Sequence, residues 1–168
     1  MYLWPRTSEI TCRQPRLKYM FNIGDLKEKY KSHYNLESGS KKVIASLEKK
    51  LGIKLPLDFK KIATFYNGGL LGGISHHAIS SETNPLNIVD ETLRLRKTIN
   101  LGTEFIVLAE PSESIIALDI SSAPAVIWCD AIDAENLKTK KFSTQPDYWE
   151  SYASFFSYLL EREESGDC

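Results

Sequence analysis

Apolar residues recur at helical spacing over 41–51, where Val43, Ile44, Leu47 and Leu51 line one side and Lys41, Lys42, Lys49 and Lys50 the other. This predicts an amphipathic helix, with the Ser40 hydroxyl capping its first turn and Gly52 supplying a left-handed stop. Leu55-Pro56 restarts the chain, because a first helical turn does not need the N–H that proline lacks. A second helix is expected over 56–66, with Asp58 at its positive end and Leu57, Ile62, Ala63, Phe65 and Tyr66 as its apolar stripe. Asn67-Gly68-Gly69 should end it, where positive φ costs little, and the glycines through Gly73 read as a close-packed turn.

The rest of the chain has the organisation of an α+β domain. Residues 1–23 are interrupted by proline and read as an irregular arm, followed by a short polar helix over 25–34. Residues 74–80 suit a short strand or loop. Asn84-Pro85 should open a helix with Ile88, Thr92, Leu95 and Ile99 on one face, an Asp90–Arg94 ion pair and Gly102 as its stop. Three nearly continuous apolar runs follow at 105–109, 115–120 and 125–129. Their connections, through Glu110-Pro111-Ser112-Glu113 and Ser121-Ser122-Ala123-Pro124, are too short for parallel crossovers, so an antiparallel meander covered on both faces is expected. A last helix should open near Pro146, place Asp147 and Glu150 in its first turn, and bury Tyr148, Tyr152, Phe155 and Leu159.

Ile44, Leu47-Glu48, Leu51-Gly52, Leu55-Pro56, Phe59 and Asn67-Gly68-Gly69 together resemble the opening of the SUKH superfamily. The later strands and the aromatic helix around Phe155 and Leu159 keep the expected order, so the resemblance spans about residues 36–162. It implies an extension over 1–37, a SUKH-like domain over 38–164 and a tail over 165–168. The superfamily includes Syd-like proteins, fungal cell-wall-synthesis regulators of the Smi/Knr type and many bacterial immunity proteins. On that basis Leu55, Pro56, Asn67, Gly68 and Gly69 are expected to be scaffold.

Charge narrows the functions. Twenty-one basic residues against twenty-two acidic ones give no concentrated positive field, which argues against direct nucleic-acid binding. Three cysteines at irregular spacing are neither a disulfide framework nor a zinc motif, and point to a reducing compartment. Met1 to Trp4 is too short an apolar run for a signal peptide, and no window is long enough to span a bilayer. A cytoplasmic location without membrane association is expected.

No catalytic set is legible. Adjacent His76 and His77 point to opposite sides of an extended chain and make a poor chelate by themselves. The glycine run lacks the Gly-Lys-Ser/Thr ending of a phosphate loop and follows a helix where those loops follow a strand. Cys129 lies in an apolar strand, and no Gly-x-Ser-x-Gly is present. A non-enzyme with no cofactor and no metal is expected.

Function must then reside in a surface. The resemblance implies an immunity protein that binds a cognate polymorphic toxin, many of which are nucleases; the alternative is an adaptor of the Smi/Knr type. A nuclease cleft is basic, so carboxylates should face it. Glu82, Glu110, Glu113, Asp130, Asp133 and Glu135 are the candidate rim, beside a loop carrying Leu70, Leu71, His76 and His77. Leu70 and Leu71 would be its apolar anchor.

Overall fold

The computed structural model describes residues 21–36, 41–80 and 86–166. Its helices are α1 (Ile23–His33), α2 (Lys41–Leu51), α3 (Leu57–Ile62), α4 (Ile88–Thr98) and α5 (Tyr152–Ser165). The strands are β1 (Gly69–Leu71), β2 (Ile74–His76), β3 (Phe105–Ala109), β4 (Ser114–Asp119), β5 (Val126–Asp130) and β6 (Asp147–Trp149), with a 3-10 helix at Ala131–Asn136. Strands β3-β4-β5-β6 form one antiparallel sheet in sequence order, and β1-β2 a separate hairpin. The three apolar runs are therefore the meander that their connections require.

Alternation sends the two sets of strand side chains to opposite faces. Ile106, Leu108, Ile116, Leu118 and Val126 join a core with Leu47, Phe59, Phe65, Phe155 and Phe156. Phe105, Val107, Ile115, Ala117, Ile127 and Cys129 pack with Leu95, Leu101, Ala134 and Leu137. Asp119 pins this second layer: burial opposes its ionisation, but hydrogen bonds from Lys140, Ser121 and Ser122 outweigh that and hold its pKa below the usual carboxylate value. The outer edge of β3 is closed as well. Thr92 on α4 accepts from the Val107 N–H at 3.0 Å, and the His77 N–H donates to the Leu108 carbonyl at 2.8 Å.

Glu48 joins α2 to α3 by accepting from the Leu55 N–H at 2.9 Å and from Lys60 Nζ at 2.6 Å. Asn67 ties the end of that unit to the chain beyond the hairpin, since its side chain accepts from Ser80 N and its carbonyl from Ile79 N. Leu55 and Asn67 thus hold the scaffold together through named bonds.

Several boundaries differ from the sequence reading. The second helix stops at Ile62, and Ala63 to Phe65 continue as turns. The glycine run is a hairpin: Leu70 pairs with Ser75 around Gly72 and Gly73, both at positive φ, as a tight two-residue connection demands. Helix α4 is capped by Asn87, whose side chain accepts from Asp90 N, while Ser40 and Asn84-Pro85 lie outside the described residues. Asn100, at φ 54°, turns the chain after α4 in place of Gly102. Arg94 pairs with Glu91 and Glu110, whereas Asp90 accepts from Asn87 Nδ2. Residues 147–149 form β6, leaving Tyr148 42% exposed, and α5 starts only at Tyr152, where N-cap Ser151 forms a capping box with Ser154.

Gly68 and Gly69 have nearly equal φ, 89° and 91°, but unlike surroundings. A Cβ on Gly68 would collide with the His77 carbonyl and lie 2.9 Å from Ala78 Cα, whereas one on Gly69 would meet nothing within 4 Å. Gly69→Ala should therefore cost about 1 kcal/mol for the left-handed backbone alone, and Gly68→Ala clearly more. Urea denaturation of the two variants measures the gap; equal losses would remove the close-approach argument.

Candidate functional site

The carboxylates nominated from sequence fall into separate environments. Glu113, at φ 57° in the β3–β4 turn, is exposed, and its carbonyl accepts from Ala131 N at 2.9 Å. Ser114 pairs with Asp130 in the β4–β5 ladder, so Glu113 and Asp130 lie at the same end of the sheet. Asp130 is exposed and accepts from Thr144 Oγ1 at 2.6 Å. The chain then enters the 3-10 helix, where residues three apart share a face. That places Ile132, 77% exposed, beside exposed Glu135. Ile132 and Glu135 are thus exposed on the element that leaves the sheet end carrying exposed Glu113 and Asp130.

Asp133 does not belong to that rim. It is buried and accepts from the Ser143 and Thr144 backbones, the Ser143 hydroxyl and Asn136 Nδ2. The Ser143 backbone bond comes first among the causes that hold its carboxyl below the usual carboxylate value. Asp133 staples the 3-10 helix to the following loop. Leu71 is fully buried, which leaves Leu70, 66% exposed, as the outward residue of β1. His76 is also buried, with its ring centroid 6.2 Å from that of Tyr66 and 6.0 Å from that of Phe155. Burial lowers its pKa to about 4. These three residues were expected at the surface; the alternation of a three-residue hairpin and the Asp133 bonds turn them inward. Glu82 lies outside the described residues.

Glu110 and His77 form a second cluster. Arg94 Nη2 reaches both Glu110 oxygens at 2.6 and 2.7 Å, and its Nε reaches Glu91 at 2.6 Å. His77 Nε2 stands 3.4 Å from Glu110 Oε2. Glu110 is thereby committed within the fold, unlike Glu113.

Cys129 is a free, buried thiol, and burial pushes its pKa up to about 11, far from the thiolate that nucleophilic chemistry needs. Ile132, Glu91 and Arg94 were not singled out as site residues from the sequence. Ile132 had one available signal, as the one large apolar residue in the run Asp130 to Asn136.

Two layers about a four-stranded meander, with an aromatic C-terminal helix and a helical pair ahead of the sheet, define an α+β domain. The SUKH_5 family model, described as SMI1-KNR4 cell-wall, matches residues 22–161, and the chain belongs to that family. No curated protein is significantly similar in sequence. Five solved chains are significantly similar in structure. One, a crystal structure of a protein from Pseudomonas syringae pv. tomato, has a TM-score of 0.60 at 15% identity, over 82% of this chain and 98% of that one. At that identity the likeness shows the fold alone. No helix among the described residues is long and apolar enough to cross a membrane.

Proposed function

We propose that this protein is a non-catalytic immunity protein of the cytoplasm that binds and neutralises a cognate toxin, a nuclease, through the acidic end of its sheet. The observation that carries the reading is that exposed Ile132 and Glu135 follow directly from the sheet end where Glu113 and Asp130 are exposed, which would supply an apolar anchor and a charged rim. Residues 103–168, the last two-fifths of the sequence, hold thirteen acidic against four basic residues, so the near-zero total charge hides an uneven distribution. Exposed carboxylates at this end of the sheet would complement a cleft built to attract phosphate. The SMI1-KNR4 match supports a second reading, an adaptor for cell-wall-synthesis partners. A neighbouring gene encoding a toxin domain would favour immunity, and an unrelated setting the adaptor.

The test is reversal of Glu113, Asp130 and Glu135 to lysine, with Asp133 left intact. Association with a cognate toxin should slow by about 10- to 100-fold at low salt, with a weaker salt dependence. Ile132→Ala should raise the dissociation rate. Full protection by the triple variant in co-expression would exclude this face.

A further inference from the structure

His77, Glu91 and Glu110 come from three elements: the chain leaving β2, the first turn of α4 and the β3–β4 turn. Each offers one ligand atom, and these atoms all lie within 4.8 Å of one another. His77 Nε2 is buried and makes no hydrogen bond among the described residues, although its side chain is only 11% exposed. It faces the Glu110 carboxylate at 3.4 Å. With its proton on Nδ1, His77 turns the Nε2 lone pair towards that carboxylate, and a cation between the two atoms would satisfy both. Two ligands at ordinary zinc distances and a tetrahedral angle stand about 3.4 Å apart, which is the separation found.

We propose that His77, Glu91 and Glu110 form a zinc site, in which Arg94 is the cation that holds the two carboxylates when zinc is absent. Arg94 already bridges both with bonds of 2.6 and 2.7 Å, as a divalent ion would. Its side chain is 46% exposed, so it swings into solvent without losing buried packing. Glu91 and Glu110 side chains are 14% and 31% exposed, and rotation of the Glu91 carboxylate completes the third contact. A nitrogen and two oxygens suit zinc, and three protein ligands leave a fourth position for water. Bound zinc would clamp the hairpin exit and α4 to the turn that leads into β4. This site is independent of the Ile132 face, and neither proposal depends on the other.

Calorimetric titration of the full chain with zinc chloride, paired with absorption spectra of the cobalt-substituted protein, tests it. One equivalent should bind, with tetrahedral cobalt bands and no thiolate charge-transfer band, and zinc should raise the melting temperature. His77→Ala and Glu91→Gln should each abolish binding while near-ultraviolet dichroism stays native. Arg94→Gln should tighten binding by about tenfold or more, because a like charge beside the metal is gone. Absence of binding at about millimolar zinc, far weaker than structural sites, would overturn the site. So would unchanged affinity in His77→Ala, or a thiolate band assigning the metal to cysteine. Equal affinity in Arg94→Gln would overturn the role given to Arg94.

Discussion

Phe156→Ala should lower the stability of this domain by about 3–5 kcal/mol, a large part of what a domain of this size possesses. Phe156 is fully buried where α5 crosses the helical layer. Its ring centroid lies 5.2 Å from Tyr66, 5.9 Å from Phe65, 6.0 Å from Tyr30 and 6.4 Å from Tyr152. Removing it takes the common partner from rings supplied by three different segments, and so densely shared a site cannot collapse around the cavity. Tyr148→Ala, at an exposed position on β6, should change stability by less than about 0.5 kcal/mol. Chemical denaturation of the two variants gives the comparison. A loss below about 1 kcal/mol for Phe156→Ala would mean that the rings repack freely.

Stability should also fall between pH 7 and pH 5, and His76 should be the main reason. In the unfolded chain its imidazole titrates near 6.5; buried between Tyr66 and Phe155 it titrates at about 4. Between those values the unfolded state holds a proton that the folded state does not. The contribution is therefore complete above about pH 6.5 and declines as pH falls towards 4, by about 2 kcal/mol at pH 5. Glu48, Asp133 and Glu163 have carboxyl pKa values below their ordinary ones and lose their contributions mainly below the carboxylate range. The window from pH 7 to pH 5 thus separates His76 from these carboxylates. Urea midpoints of the wild type should drop across it, whereas those of His76→Leu should stay nearly level. An equal drop in the variant would assign the effect to other groups.

The sheet was legible because 105–109, 115–120 and 125–129 are long apolar runs joined by connections too short for any other topology. Helix α2 was legible because Ile44, Leu47 and Leu51 keep strict spacing and all are buried. Strand β6 was not. Asp147-Tyr148-Trp149 is short, follows a proline and shows no alternation, and only pairing with β5 makes it a strand. The candidate site divides in the same way. That Glu113 and Asp130 would meet follows from the meander, since turn and ladder register bring them together. That Asp133 would turn inward depends on Ser143 and Thr144, ten and eleven residues away, which no local pattern links to it. Leu71 and His76 went inside through the register of a two-strand hairpin, and with three residues per strand that alternation is too brief to read.

Helix α1 meets α5 across most of the chain: Lys29 pairs with Glu164, the Tyr34 hydroxyl donates to Glu163, and Tyr30 packs on Phe156. For a chain made on a ribosome this sets an order of events. Tyr30 and Phe65 emerge early, but the ring they both close upon is synthesised only after the whole sheet. At usual elongation rates the separation between Tyr30 and Phe156 corresponds to a delay of roughly 6 to 25 seconds. During that interval the first three helices carry an uncovered aromatic face while the sheet is still being made. The nascent chain is therefore most vulnerable to misassociation before α5 is released, and holding α5 inside the ribosomal exit tunnel should keep the helical layer open to chaperones.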